Sequence, residues 1–204
     1  MMRCTALFGL LLATASPALA EDPSPYPGLA ILDAFKTGCG AIEDQAAASS
    51  SLTAAGWDVS NPDFRPGPLT DFLAFAQEAG GEAVRAQGGT MSDMEVFERE
   101  IEGERVFVVL SEVRIDGTRV TGCRLFDFGE TRKIGIETAR GWIGREPVKT
   151  INKDGVIIAD WEPGTTPGHD SFQLFFIPAD SPLKQATYFD GVALKSDTVG
   201  VSDE

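Results

Sequence analysis

Histidine is almost absent: His169 is the single one in 204 residues. That excludes any zinc site built on several imidazoles. Cysteine is scarce as well, with only Cys4, Cys39 and Cys123, and no C-x-x-C pair for redox chemistry or metal binding. Basic residues are outnumbered, 17 Lys and Arg against 31 Asp and Glu, giving a formal net charge of −14. Such a chain repels phosphate backbones and anionic headgroups, which argues against nucleic-acid binding and against charge-driven membrane association. Also missing are a G-x-S-x-G elbow for a nucleophilic serine, a phosphate loop and a dinucleotide fingerprint, so no cofactor is indicated. Beyond residue 20 no apolar run approaches the about 20 residues that cross a bilayer, and no membrane anchor is expected in the processed chain.

The N-terminus carries what is recognisable. Arg3 is followed by an apolar stretch from Cys4 to Ala13, then Pro17 and the small-residue site Ala18-Leu19-Ala20. A positive start, a short apolar run and small side chains before the cut form a secretory signal peptide. Residues 1–20 are therefore expected to be removed between Ala20 and Glu21, leaving an acidic periplasmic or secreted protein. Cys4 precedes the apolar run rather than following it, so a lipid anchor is not expected. Cys39 and Cys123 remain, 84 positions apart. In an oxidising compartment they are expected to pair, a crosslink worth roughly 4–5 kcal/mol at most by loop entropy.

Periodicity then sets the architecture. Residues 21–28, with prolines at 23, 25 and 27, read as a loose leader. Residues 29–204 read as a single domain. Ile31, Leu32, Phe35 and Cys39 fall at helical spacing. A second helix is expected over about 41–55, ending at Gly56. A third is expected from Thr70 as N-cap, burying Phe72, Leu73, Phe75 and Ala76 and stopping at Gly80-Gly81. After that the period changes. Residues 105–115 and 118–128 are β-rich runs joined by Asp116-Gly117, the strongest short hairpin signal. That turn predicts a register: Ile115 with Thr118, Val113 with Val120, Leu110 with Cys123, Val108 with Leu125, Phe107 with Phe126. Val108, Leu110, Cys123 and Leu125 then share one face, while Phe107, Val109, Val113, Val120 and Phe126 share the other. The disulfide would hold the N-terminal helices on the first face. The second face is also apolar and needs cover, from a helix near 130–140 or from the curl of the sheet. That helix is expected to be interrupted by Gly135 and capped by Gly141. Further strands are expected at about 155–161, 171–177 and 191–195. The whole is an α+β fold, N-terminal helices packed on a mainly antiparallel sheet.

Candidate chemistry is thin. His169-Asp170-Ser171 puts triad residue types in a row, but adjacent residues of an extended segment point to alternate sides, so His169 reads as a loop residue. Asn152-Lys153-Asp154-Gly155 resembles the middle of a calcium loop, yet the flanking positions Thr150 and Trp161 offer no carboxylate, and a tight turn is expected. Glu98, Glu100 and Glu102 would project together from an edge strand, charged to block aggregation, with a surface for a cation or a basic partner as the alternative. Trp142, Trp161, Phe172, Phe175 and Phe176 read mainly as core, with a ligand groove as the alternative.

With its signal peptide, Phe35 and Cys39 in an early helix, Ala-Ala-Gly-Trp at 54–57 and Cys123 in a later strand, the chain resembles a class of small, uncharacterised exported proteins of proteobacteria. The resemblance implies no activity. The expectation is a non-catalytic binding or interaction protein of the cell envelope, taking a partner protein or a small apolar ligand. The alternative is a hydrolase using scattered carboxylates. Two acids converging in a cleft with a raised pKa would mark the hydrolase; an apolar pocket without them would mark the binder.

Overall fold

A computed structural model describes residues 25–61 and 67–201. The expected signal peptide and the Ala20–Glu21 cleavage point lie outside the described residues. The helices are α1 (Gly28–Gly38), α2 (Gln45–Ala54), α3 (Pro68–Arg85), α4 (Ile136–Ile143) and α5 (Pro182–Thr187). The strands are β1 (Asp58–Val59), β2 (Thr90–Met91), β3 (Glu95–Ile101), β4 (Glu104–Ile115), β5 (Thr118–Phe128), β6 (Lys149–Lys153), β7 (Val156–Trp161), β8 (Ser171–Ile177) and β9 (Gly191–Val201).

Asp116 and Gly117 sit at φ 49° and 73°, the left-handed pair that a two-residue hairpin turn requires. From this turn β4 and β5 pair in the expected register, Ile115 opposite Thr118 and Leu110 opposite Cys123. The same device recurs at Glu102-Gly103 between β3 and β4, and at Asp154-Gly155 between β6 and β7. The segment resembling a calcium loop is therefore a hairpin turn. One antiparallel sheet results, ordered β1-β3-β4-β5-β9-β8-β7-β6, with β2 paired to β4. β9 runs to Val201, well past the expected 195, because its polar end pairs with β5 back to Thr118. This places the C-terminal strand in the middle of the sheet.

The first face carries the main core. Cys39 is bonded to Cys123 with their Cα atoms 5.9 Å apart, and both side chains are fully buried. Ile31, Leu32 and Phe35 of α1 and Ala48 and Leu52 of α2 lie against Val108, Leu110, Leu125, Phe172 and Leu174. Asp44 caps α2, its carboxylate accepting from the Ala47 amide at 2.8 Å. α1 and α2 close tightly at Gly38. A Cβ there would lie 2.7 Å from Trp57 Nε1 and 2.8 Å from a Leu52 methyl.

Three expectations about the helices are corrected. α4 begins after Gly135 and ends at Gly144, which takes the left-handed cap position (φ 80°) expected of Gly141. α4 also packs on the first face, through Ala139 and through Trp142 against Phe172, so it does not cover the second. That role falls to α3. It starts at Pro68 behind Gly67 rather than at Thr70, and it continues through Gly80-Gly81 to Arg85. The glycines do not stop it because they bring it close to its neighbours: a Cβ on Gly80 would already touch Met91 of β2 at 3.3 Å. A Gly38→Ala substitution is expected to lower stability by about 1–3 kcal/mol through overpacking, read as a fall in the urea midpoint with an unchanged slope.

Candidate functional site

The second face of the sheet divides into rows set by the register. One row is apolar: Phe107, Phe126, Ala193, Phe175, Ile158 and Ile151 on successive strands. The next is polar beyond Val109: Arg124, Lys195, Gln173, Asp160 and Lys149. α3 roofs part of this face. Phe72 packs on Phe126, Phe128 and Phe189, with ring centroids 4.6, 5.9 and 6.5 Å away. Farther along, α3 passes over Met91 and Gly89 at the β2 side. Over β7 and β8 the second-face residues Ile158, Asp160, Gln173 and Phe175 are only half-buried, and all of β6 is exposed.

Where the α3 roof ends there is a cleft of about 160 Å³, walled by Phe72, Phe126, Phe175, Phe189 and Ala193 and by the stems of Arg124 and Lys195. The two cationic heads turn toward Asp197. Lys195 Nζ is 2.8 Å and Arg124 Nη2 3.5 Å from its carboxylate. Arg124 also donates to Ser111 Oγ at 2.8 Å. Burial pushes the Arg124 pKa down, and Asp197 opposes that shift. Larger hollows of about 570 and 800 Å³ lie beside β1 and beside α5; unlike the cleft, they mix apolar walls such as Leu73, Met94 and Tyr188 with polar side chains such as Asn61, Gln77, Asp180 and Gln185.

A second constellation lies on the other face of the sheet, near the Phe128 end of β5. Glu104, Asp127 and Glu130 bring carboxylate oxygens within 4.8 Å of one another. Glu104 opens β4, and the Gly129 turn swings Glu130 back beside Asp127. Tyr26 donates its hydroxyl to Asp127 Oδ2 at 2.9 Å. Arg132 donates to Glu104 at 2.6 Å, pairs with Glu130 and lies over the Tyr26 ring. Burial pushes Asp127 up to about 6 against the lowering hydrogen bond from Tyr26, with Glu130 and Glu104 adding repulsion. The Arg132 hydrogen bond holds Glu130 below its usual range, and burial raises Tyr26. Three carboxylates could hold a cation, but Arg132 already bridges two of them. None of the cavities described above is lined by any of the three.

No family model, curated protein or solved structure matches this chain. Geometry and chemistry alone must carry the assignment.

His169 lies in the loop before β8, but it is buried, only 4% exposed, with neither ring nitrogen in a well-formed hydrogen bond. It sits near Gly40, and burial lowers its pKa, keeping the ring neutral. Asp170 accepts from the Val199 amide and Ser171 faces Asp197, so no triad forms. Of the acidic run, Glu98 pairs with Arg105, Glu100 is exposed near the sheet edge and Glu102 occupies a turn. Trp161, Phe172 and Phe176 are core, Trp142 packs on Phe172, and Phe175 lines the cleft. The carboxylate cluster was missed in the sequence because Glu104, at the start of β4, reaches Asp127 and Glu130 only through the folding of the β4–β5 hairpin, and two acids in one short segment of an acidic chain do not stand out by themselves. Of the stretch read as a leader, Tyr26 is tied to Asp127 and Gly28 already belongs to α1.

Asp127 also sets a pH dependence. Its folded pKa, about 6, lies above the ordinary 3.8, so the unfolded chain ionises first and stability falls as pH rises across that window. The loss is on the order of 2–3 kcal/mol at most. Urea midpoints measured from pH 4.5 to 7.5 should decline for the wild type and flatten for Asp127→Asn.

Proposed function

We propose that this chain is an exported, non-catalytic binding protein that holds a small apolar ligand in the cleft between α3 and the second sheet face. The observation that carries the reading is the cleft itself: an aromatic-walled concavity at the edge of a helix that roofs only part of an apolar sheet face. Small-molecule sites are typically concave and mostly apolar, with few polar groups at the margin, and this cleft has that character. The Cys39–Cys123 disulfide is compatible with an oxidising compartment, and together with the N-terminal signal pattern it supports a periplasmic or secreted location. No helix among the described residues is long and apolar enough to cross a membrane.

A carboxylate-dependent hydrolase is the second reading, favoured by one observation: Asp127 is raised to about 6 beside Glu130, which is held ionised. That is the acid–base asymmetry hydrolases use. Against it, Tyr26 and Arg132 satisfy the cluster from within, as they would in a structural ion network.

Native mass spectrometry of the protein gently released from its host's envelope tests the choice. Binding predicts an extra mass that survives native conditions, disappears on denaturation and is absent from a folded Ala193→Leu variant, whose side chain fills the cleft. A bare protein whose turnover of an envelope substrate is lost in Asp127→Asn would establish the hydrolase instead.

A further inference from the structure

The sheet ends in two unlike edges. At one end β1 contributes two residues only, Asp58 and Val59, and lies beside β3, which carries the exposed Glu100 and leads into the turn at Glu102. At the other end β6 is five residues long, Lys-Thr-Ile-Asn-Lys, and every one is exposed. Among the described residues no strand pairs with its outer side. Asp154 and Gly155 close the β6–β7 hairpin as two left-handed residues, so Lys153 and Val156 flank the turn as its first hydrogen-bonded pair. In an antiparallel ladder such pairs alternate with non-bonded ones. Lys149, Ile151 and Lys153 therefore bond inward to β7, and Thr150 and Asn152 turn their N–H and C=O groups outward.

Those outward groups are a template for one more strand, and the side chains beside them say of what kind. Lys149, Ile151 and Lys153 share the second face, in the rows of Asp160, Ile158 and Val156. Ile151 is 39% exposed and ends the row that runs through the half-buried Phe175 and Ile158. Both charges on β6 are positive, in a chain of formal charge −14. Lys153 reaches only Asp154 of its own turn, at 3.9 Å, with the two side chains 81% and 85% exposed. Asp160, across the ladder from Lys149, accepts from the Gln173 amide at 3.0 Å.

Independently of the cleft, we propose that the β6 edge takes up an extended segment of a partner protein, added antiparallel as a further strand and patterned acidic–x–apolar–x–acidic. Backbone groups of Thr150 and Asn152 would hold it, as in other cases of strand addition. Its acids would lie against Lys149 and Lys153 and its apolar residue against Ile151, at the non-bonded positions where side chains across a ladder stand closest. A second copy of this chain fits poorly. Two β6 strands paired antiparallel about Ile151 would set Lys149 opposite Lys153, and the acidic edge offers only the two residues of β1 against the five of β6. Lysines on an edge strand thus exclude like edges and leave an acidic segment as the matched one.

Amide spectra of the ¹⁵N-labelled full chain test this, with an end-blocked Ser-Thr-Glu-Thr-Val-Thr-Glu-Thr-Ser peptide and its counterpart carrying lysine for both glutamates. The acidic peptide should shift the Thr150 and Asn152 amides and bind at least about fivefold more tightly than the basic one at low salt. A Lys149→Glu/Lys153→Glu variant should reverse that order. Thr150→Pro removes an outward donor that an edge strand can spare, and it should abolish binding of both. Ala193→Leu, which fills the cleft, should leave the order unchanged. No shift on β6 with either peptide overturns the proposal, as does equal binding that the charge reversal leaves unmoved. Shifts on β6 that grow with the concentration of the chain alone make a second copy the occupant and overturn it as well.

Discussion

The pairing of β4 with β5 places Leu110 opposite Cys123, and the rest of the molecule is arranged around that contact. Because side chains alternate along a strand, a slip of one residue would turn Cys123 to the second face and away from Cys39. The disulfide, the α1–α2 pair and the main core on Phe35, Phe172 and Leu174 all depend on that register. The same alternation sends Phe107, Val109 and Phe126 to the second face, and this makes a second apolar cluster unavoidable. α3 answers that demand over β4 and β5, while Ile158 and Phe175 are left half-buried. The cleft is the edge of this incomplete roof.

Charge is distributed in a way that keeps the two polar constellations apart. At one end of β5 the acids gather, with Glu104 and Glu130 neutralised by Arg132 and Asp127 kept partly protonated by burial. Toward the other end Arg124 faces Lys195 across the β5–β9 ladder, and like charges directly opposite are destabilising unless a counter-ion intervenes. Asp197, one row farther along β9, supplies that counter-ion.

How much was legible in the sequence follows from how local each determinant is. Asp116-Gly117 and the alternation around it are local, so the hairpin register and its two faces could be read directly, while the Cys39–Cys123 pairing followed from the count of two cysteines left after the expected cleavage. The Gly80-Gly81 stop could not, because its meaning depends on Met91 packing against the helix from a distant strand. The cover of the second face, left open between a helix near 130–140 and the curl of the sheet, comes from α3 instead for the same reason: α4 and α3 are both amphipathic, and only the path of the chain decides which face each meets. The short elements β1, β2 and β6 and the six-residue α5 carry too little periodicity to stand out. The cleft was legible only as a set of aromatic residues, of which Phe175 proved to line it and Trp161 and Phe172 proved to be core.

The proposed ligand site is the second face of the sheet at the margin of α3. A ¹H–¹⁵N correlation spectrum of the labelled chain, recorded while small-molecule extract of the host envelope is added, tests it most directly. Ligand in the cleft should concentrate shifts at Phe72, Phe126, Phe175, Phe189 and Ala193 and leave Glu104 and Glu130, on the other side of the sheet, unmoved. Shifts confined to Glu104, Asp127 and Glu130 and the Tyr26 anchor would contradict it and move the site to the carboxylates.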